Sequence, residues 1–331
     1  MWTEIWTSLW CQLYLLARPM IKWILRRVTG KCELLRITYD EEPGAGRTKR
    51  IEKSLKRSHQ PALKQILSDD NLVIGEAVKE VLRLKSIVPE VHPNFERCFS
   101  VCVCQICGYR RLLQQVEDHR KTKYSTADRQ HEDKLMLLWT LLMPTTKLES
   151  RVSKQWTYIG FQGDDPATDF RGMGLLGLDQ LLYFIKEYPE ITHSLLSQSH
   201  HPQYGFSYAI LGINFTGMCY DLLKSRKLRT HFYNLTVEAP TMKQFNEVYC
   251  CLFFDFIQFW FKEKPRDIME FGRLRDKFQK LIVKQLKDKH FVLKAKFQTA
   301  GEGGIMIELF MYLEPFSYLQ IYWKYLLELN I

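Results

Sequence analysis

Residues 156–177 read WTYIGFQGDDPATDFRGMGLLG, with five glycines, three aspartates and one arginine in a single stretch. Such a composition does not make a regular helix. Gly163-Asp164-Asp165-Pro166 has the residue types of a turn closed by Asx hydrogen bonds. Gly172 and Gly174 permit a tight turn or the close approach of another surface. Three chemistries fit. Asp164, Asp165 and Asp169 would hold a divalent cation, although their spacing lacks the alternation of a calcium loop and no histidine joins them. Asp165 or Asp169 would pair with Arg171 and brace the loop. Alternatively, the glycines would present Arg171 outward as a catalytic cation for phosphoryl transfer on another protein's nucleotide. An arginine lent in this way raises a GTPase rate by ~10³–10⁵, because its forked guanidinium stabilises charge on the transferring phosphate. A lysine does not reproduce that fork. The last two readings are compatible, since a carboxylate can orient the arginine it neighbours.

Other catalytic patterns are missing. The chain has no H-E-x-x-H, no G-x-S-x-G and no G-x-x-x-x-G-K-[ST], so it is not itself a P-loop hydrolase and no cofactor or metal is expected. Cys98, Cys102, Cys104 and Cys107 cluster with one C-x-x-C, but no second pair stands at zinc-site distance. Cys98 and Cys102 share a helix face while Cys104 points elsewhere, which reads as core packing. Cys250-Cys251 reads the same way. Asn214-Phe-Thr216 and Asn234-Leu-Thr236 match the glycosylation acceptor and are expected to stay unmodified without a signal peptide.

The scaffold that must hold the 156–177 segment reads as helical. Periodic apolar residues predict helices from Leu72 to Leu82, Phe95 to Val116, His131 to Leu142, Leu175 to Tyr188, Tyr208 to Leu223, and Ile268 to Leu286. Pro89, Pro144 and Pro189 stop the first, third and fourth. Thr241-Met-Lys-Gln244 is a capping box opening an aromatic-rich helix through Phe261. Residues 191–220 carry no Asp, Glu, Lys or Arg, and Phe206–Tyr220 fits a buried central helix better than a membrane span. Strand alternation is scarce, so the fold class is all-α.

The chain has 331 residues, 46% hydrophobic and 25% charged, which excludes bulk disorder, and nine cysteines are too few for a disulfide scaffold. Its net charge is +10, and residues 1–60 hold twelve basic against six acidic residues, so +6 of it lies there. A basic field attracts anionic lipid or nucleic acid. The interleaved aromatics favour lipid, and no zinc-finger, RRM or KH pattern accompanies the charge, so no nucleic-acid partner is expected. In residues 2–25, Trp2, Ile5, Trp6, Leu9, Leu13, Leu16, Met20 and Trp23 form one helical stripe. The longest apolar run, Leu13–Ala17, is too short to span a bilayer. The first basic residue is Arg18, which argues against a secretory signal. A helix lying in a membrane interface would set Trp2, Trp6, Trp10 and Trp23 at headgroup level, with Arg26 and Arg27 on the flank. A helix packed on its own domain fits equally. Pro19 is expected to kink or restart it.

The motif W-x-x-I-G-F-Q-G-D-D-P-x-T-D-F-R-G-M-G at 156–174 closely resembles the signature of ELMO-domain proteins. T-G-K-C-E-L-x-R-I at 29–37, R-x-S-K-Q-W at 151–156 and S-Y-A-I-x-G-I-N at 207–214 resemble the ELMO-domain-containing branch, and the likeness covers roughly residues 20–288. The resemblance implies a multi-helix ELMO-domain fold with an amphipathic N-terminal helix. It implies GTPase activation toward Arf and Arf-like small GTPases, with Arg171 at the position of the catalytic arginine. Trp156, Gln162, Asp165, Asp169, Phe170 and Gly172 would then bind the GTPase or shape the loop. It also implies cytoplasmic work as a peripheral protein on intracellular membranes such as Golgi, endoplasmic reticulum, mitochondria or lipid droplets. A non-catalytic scaffold for a small GTPase or a membrane partner is the alternative. The expected organisation is a basic, aromatic membrane-associating segment over 1–57, a helical part over 58–123, an ELMO domain over 124–289 and a divergent tail over 290–331. Within that tail Ala300-Gly-Glu-Gly-Gly304 reads as a flexible break. The tail and the four-cysteine cluster depart from the family pattern.

Overall fold

The structure, a computed structural model, describes residues 2–294 and 297; within residues 2–16 only the side chain of Trp6 is included. The expectations for the tail therefore fall almost entirely outside the described residues. Among those residues there are thirteen α-helices, three 3-10 helices and no β-strand, an all-α architecture. The chain divides into two compact units, Met1–Cys107 with Val237–Ala239, and Gly108–Thr236 with Pro240–Ile331.

The first unit holds α1 (Trp2–Thr29), α2 (Glu33–Asp40), α3 (Ala45–Lys56), α4 (Pro61–Gln65), α5 (Ile74–Lys85) and the start of α6 (Pro93–Lys121). Its core draws on Leu34, Leu35, Ile51, Leu55, Val78, Val81 and the stacked pair Phe95–Phe99. Cys98 and Cys102, one turn apart on one face of α6, are buried, Cys107 on the opposite face is buried as well, and Cys104 is half-buried. Burial pushes the Cys102 thiol up to about 11, which keeps it in the inert protonated form. Of the kink or restart expected at Pro19, no restart occurs, and helix α1 is continuous from Trp2 to Thr29. A proline removes one backbone donor. Here Arg18 and Lys22, on either side of it, are both tied to Glu33 of α2, and these ties hold the turn.

The second unit continues α6 and adds α7 (Arg129–Leu142), α8 (Gly174–Glu187), α9 (Pro189–Ser199), α10 (Tyr208–Lys224), α11 (Arg229–Leu235), α12 (Met242–Glu263) and α13 (Phe271–Gln285). Helix α8 packs against α7, α9, α10 and α12. It is apolar around most of its circumference, with Leu175, Leu176, Leu178, Leu181, Leu182, Phe184 and Ile185 all buried. That pattern belongs to a central helix. Helix α10 is similarly buried, and its Phe215 meets Phe253 and Phe256 of α12 and Phe278 of α13. Each such aromatic, fully buried, contributes roughly 1.5–3 kcal/mol. The Thr241–Gln244 capping box opens α12 as its residues predict. The expected single helix from Ile268 is instead a 3-10 turn, Ile268–Glu270, capped by Asp267 ahead of α13. Among the described residues no helix is long and apolar enough to cross a membrane.

Candidate functional site

The connection between α7 and α8, residues 143–173, contains two 3-10 helices, Lys154–Ile159 and Pro166–Arg171. Each is opened by a side chain. Ser153 accepts from the backbone N–H of Gln155, and Asp165 accepts from that of Ala167 at 3.0 Å. Pro166 at the first helical position gives up only a donor that would have had no partner. Two glycines are sterically required. Gly160 has φ +85°, and a Cβ there would stand 2.2 Å from the Tyr208 nitrogen; its carbonyl instead accepts from the Ile210 N–H at 3.2 Å. Gly174 has φ +54°, and a Cβ would stand 2.3 Å from the Arg120 carbonyl oxygen. Gly172 has an ordinary φ of −84° with open space where a Cβ would be, so it is not one of the tight-turn residues.

Beneath the loop lies a file of rings. Trp156 is fully buried between Trp139 (5.3 Å) and Phe161 (5.8 Å), Phe161 meets Phe170 at 5.7 Å, and Phe170 stacks on Tyr124 at 5.4 Å. The Trp156 indole N–H donates to the Arg151 carbonyl at 2.9 Å. Trp156 and Phe170 therefore shape the loop from below and present no surface to a partner. Gln162, Gly163, Asp164, Thr168, Arg171 and Gly172 are exposed.

The charged groups are arranged differently from the brace expected between Arg171 and an aspartate. The arginine that grips Asp165 is Arg151, whose Nη1 donates to Asp165 Oδ1 at 2.9 Å. Its Nε and Nη2 engage both oxygens of Glu132, and Nη2 reaches the Tyr124 hydroxyl at 3.4 Å. The Tyr124 hydroxyl in turn donates to Glu132 Oε1 at 2.6 Å. Burial pushes the Glu132 carboxyl up, but hydrogen bonds from Arg151 and Tyr124 outweigh it and hold Glu132 below the usual glutamate range. The Tyr124 hydroxyl is raised, first by burial and then by its bond to Glu132. Asp169 accepts from the Gln162 backbone N–H at 2.9 Å and is raised by burial, against the opposing pull of that N–H and of the Arg171 charge. With both aspartates satisfied elsewhere, Arg171 donates only its Nε, to the Thr168 carbonyl at 2.7 Å. Among the described residues Arg171 makes no ion pair and its two Nη groups have no partner. Behind it, Arg120 donates to the Gly172 carbonyl at 3.3 Å and lies over the Tyr220 ring. Asp164, Asp165 and Asp169 do not converge; among the described residues no three His, Cys, Asp or Glu side chains are grouped to hold a metal ion.

The ELMO/CED-12 family profile matches residues 114–275, which contain all of this loop. The chain is 48% identical over 279 residues to human ELMO domain-containing protein 2, covering 84% of this chain and 95% of that protein. The chain belongs to the ELMO/CED-12 family. Within that family it is also 45% identical over 302 residues to mouse ELMO domain-containing protein 1, with 86% and 92% covered. ELMO domain-containing protein B of Dictyostelium discoideum is 32% identical over 271 residues, with 79% and 92% covered. No solved structure matches the chain.

The sequence motifs led to Arg171 but missed Arg151, which holds Asp165, and Glu132 and Tyr124, which hold Arg151. Arg151 opens R-x-S-K-Q-W, but no spacing rule joins it to Glu132, 19 positions earlier. The residues singled out for membrane contact all lie on α1. Trp6 is exposed, as are Trp23 (67%), Arg26 and Arg27, while the side chains of Trp2 and Trp10 fall outside the described ones.

Proposed function

We propose that this ELMO-family chain is a GTPase-activating protein for Arf-family or Arf-like small GTPases, with Arg171 lent in trans to the partner's bound GTP. The reading is carried by one observation: Arg171 stands exposed at the end of a pinned 3-10 helix, tethered at Nε and unpaired at both Nη groups. A free guanidinium fork is what charge developing on β,γ-phosphate oxygens requires. A rigid seat beneath it reduces the entropy lost when the partner docks. Gln162, Gly172 and the exposed rim would meet the GTPase, while Trp156, Asp165, Asp169 and Phe170 keep the loop in shape. Water positioning and Mg²⁺ belong to the GTPase.

The exposed apolar face of α1 favours peripheral contact with intracellular membranes on the cytoplasmic side, which would concentrate both partners on one surface. The competing reading is a scaffold that binds a small GTPase without accelerating hydrolysis. Single-turnover GTP hydrolysis across a panel of Arf-family proteins separates the two. Activation that Arg171→Lys abolishes, with binding retained, supports the finger; binding with no acceleration by the unmodified chain supports the scaffold.

A further inference from the structure

The first unit contains a cavity of about 130 Å³ in which Lys22 and Arg26 of α1, Lys85 at the end of α5, and Ser54, Ser58 and Glu33 line the polar side, with leucines beneath. We propose that this cavity binds the phosphate monoester headgroup of an anionic lipid. The proposal deepens the membrane reading of α1 and is independent of Arg171.

Charge balance is the first argument. Three cations face one carboxylate. Glu33 is already engaged by Arg18 at 3.0 Å, by the Ser54 hydroxyl at 2.6 Å and by Lys22. Arg26 and Lys85 make no ion pair among the described residues. Lys85 is half-buried, and its ammonium is depressed by burial and then by repulsion from Lys22 and Arg26, against the pull of Cys32 and Glu33. Unpaired like charges held together beside a cavity are costly until an anion joins them. The Ser58 hydroxyl accepts from the Gln60 N–H at 3.1 Å and retains its own proton to donate.

Size and setting choose among anions. A cavity of about 130 Å³ exceeds the ~30 Å³ share of one water but falls well short of the roughly 300 Å³ at which small-molecule pockets begin. It accommodates a phosphate group and excludes a nucleotide. Two charges on a phosphomonoester match three cations better than the single charge of a carboxylate or phosphodiester. The remainder of the molecule must then lie outside. Helix α1, which supplies two of the cations, exposes Met20 (61%), Trp23 (67%), Ile24 (43%) and Val28 (77%) on its outer side. Those residues suit an acyl–headgroup boundary.

The test uses the full chain. Binding is measured to phosphatidylcholine vesicles carrying either a phosphatidylinositol monophosphate or phosphatidylserine at matched total charge. Melting is measured with and without millimolar inorganic phosphate. Lys85→Gln and Arg26→Gln are each expected to weaken binding to the phosphomonoester vesicles about fivefold while leaving phosphatidylserine binding within about twofold. Arg27→Gln, outside the cavity, is expected to weaken both equally. Arg26 is exposed, so its replacement tests the site without threatening the fold, and Lys85→Arg should restore binding. Protection by inorganic phosphate that Lys85→Gln removes, with no preference between vesicles, would reassign the cavity to free phosphate and overturn the lipid source. Equal losses on both vesicles for every variant, with no phosphate protection, would overturn the site. Neither readout involves GTP hydrolysis, so failure here leaves the Arg171 reading intact.

Discussion

Arg151 and Arg171 stand on the same loop, and exchanging each for alanine should separate bracing from chemistry. Arg151 makes bidentate contact with Glu132 and a 2.9 Å bond to Asp165, with side chains 24%, 22% and 37% exposed respectively. Removing a partner from charge-assisted bonds costs about 1.5–3 kcal/mol each when buried. At this exposure solvent recovers a good part, and the two carboxylates are left near one another. We expect Arg151→Ala to cost roughly 2–3 kcal/mol, or a fall in Tm of about 4–12 °C at 2–4 °C per kcal/mol. Arg171→Ala removes one hydrogen bond from an exposed side chain, and surface changes of that kind stay within about 0.5 kcal/mol. In single-turnover hydrolysis with a responsive GTPase, Arg171→Ala should lose ~10³-fold or more of the stimulation while its melting curve overlays the parent. Arg151→Ala should lose less activity and much more stability. If Arg171→Ala melts as early as Arg151→Ala, Arg171 is a brace and the proposed finger role falls.

Three further outcomes are expected. Gly160→Ala and Gly174→Ala should give insoluble or unfolded protein on expression, since each Cβ would sit within 2.3 Å of backbone, whereas Gly172→Ala should melt normally and report through GTPase binding alone. Buried His231 accepts from the Leu293 N–H, and burial holds its pKa down to about 3, so the native state stays neutral where the unfolded chain takes a proton. Its contribution is complete above pH ~6.5 and is lost toward pH 3 at up to ~1.4 kcal/mol per pH unit, a slope that urea titrations should find flattened in His231→Gln. Thr241→Ala should cost about 1 kcal/mol by removing the cap of α12, measured by urea unfolding, and Thr241→Ser should recover most of it.

Periodicity alone located most of the long helices, because an apolar stripe at spacings of three and four is itself the surface that must be buried. Helix α6 extends from the predicted Phe95–Val116 to Pro93–Lys121, and α8 and α10 match their predicted spans within two residues at each end. Short helices such as α2, α4 and α11 carry too few turns for a stripe to stand out. At Pro19 local chemistry disfavours helix, yet the helix does not restart there, and ties from neighbouring turns to Glu33 accompany its continuation.

For the loop, residue types were enough to mark 156–177 as non-helical and to single out Arg171, since glycines, Asx turns and a lone arginine act through their own backbone. They could not say which arginine the aspartates hold. Asp165 and Asp169 lie closer in sequence to Arg171 than to Arg151, yet the chain folds so that Arg151, itself held by Glu132 and Tyr124, meets Asp165, while Asp169 turns to the Gln162 backbone. Secondary structure is written in neighbours a few residues apart and is legible before the chain folds. Which charges meet depends on the path of the chain between them, and it takes the folded chain to show that Arg171, not Arg151, is left without an ion pair among the described residues.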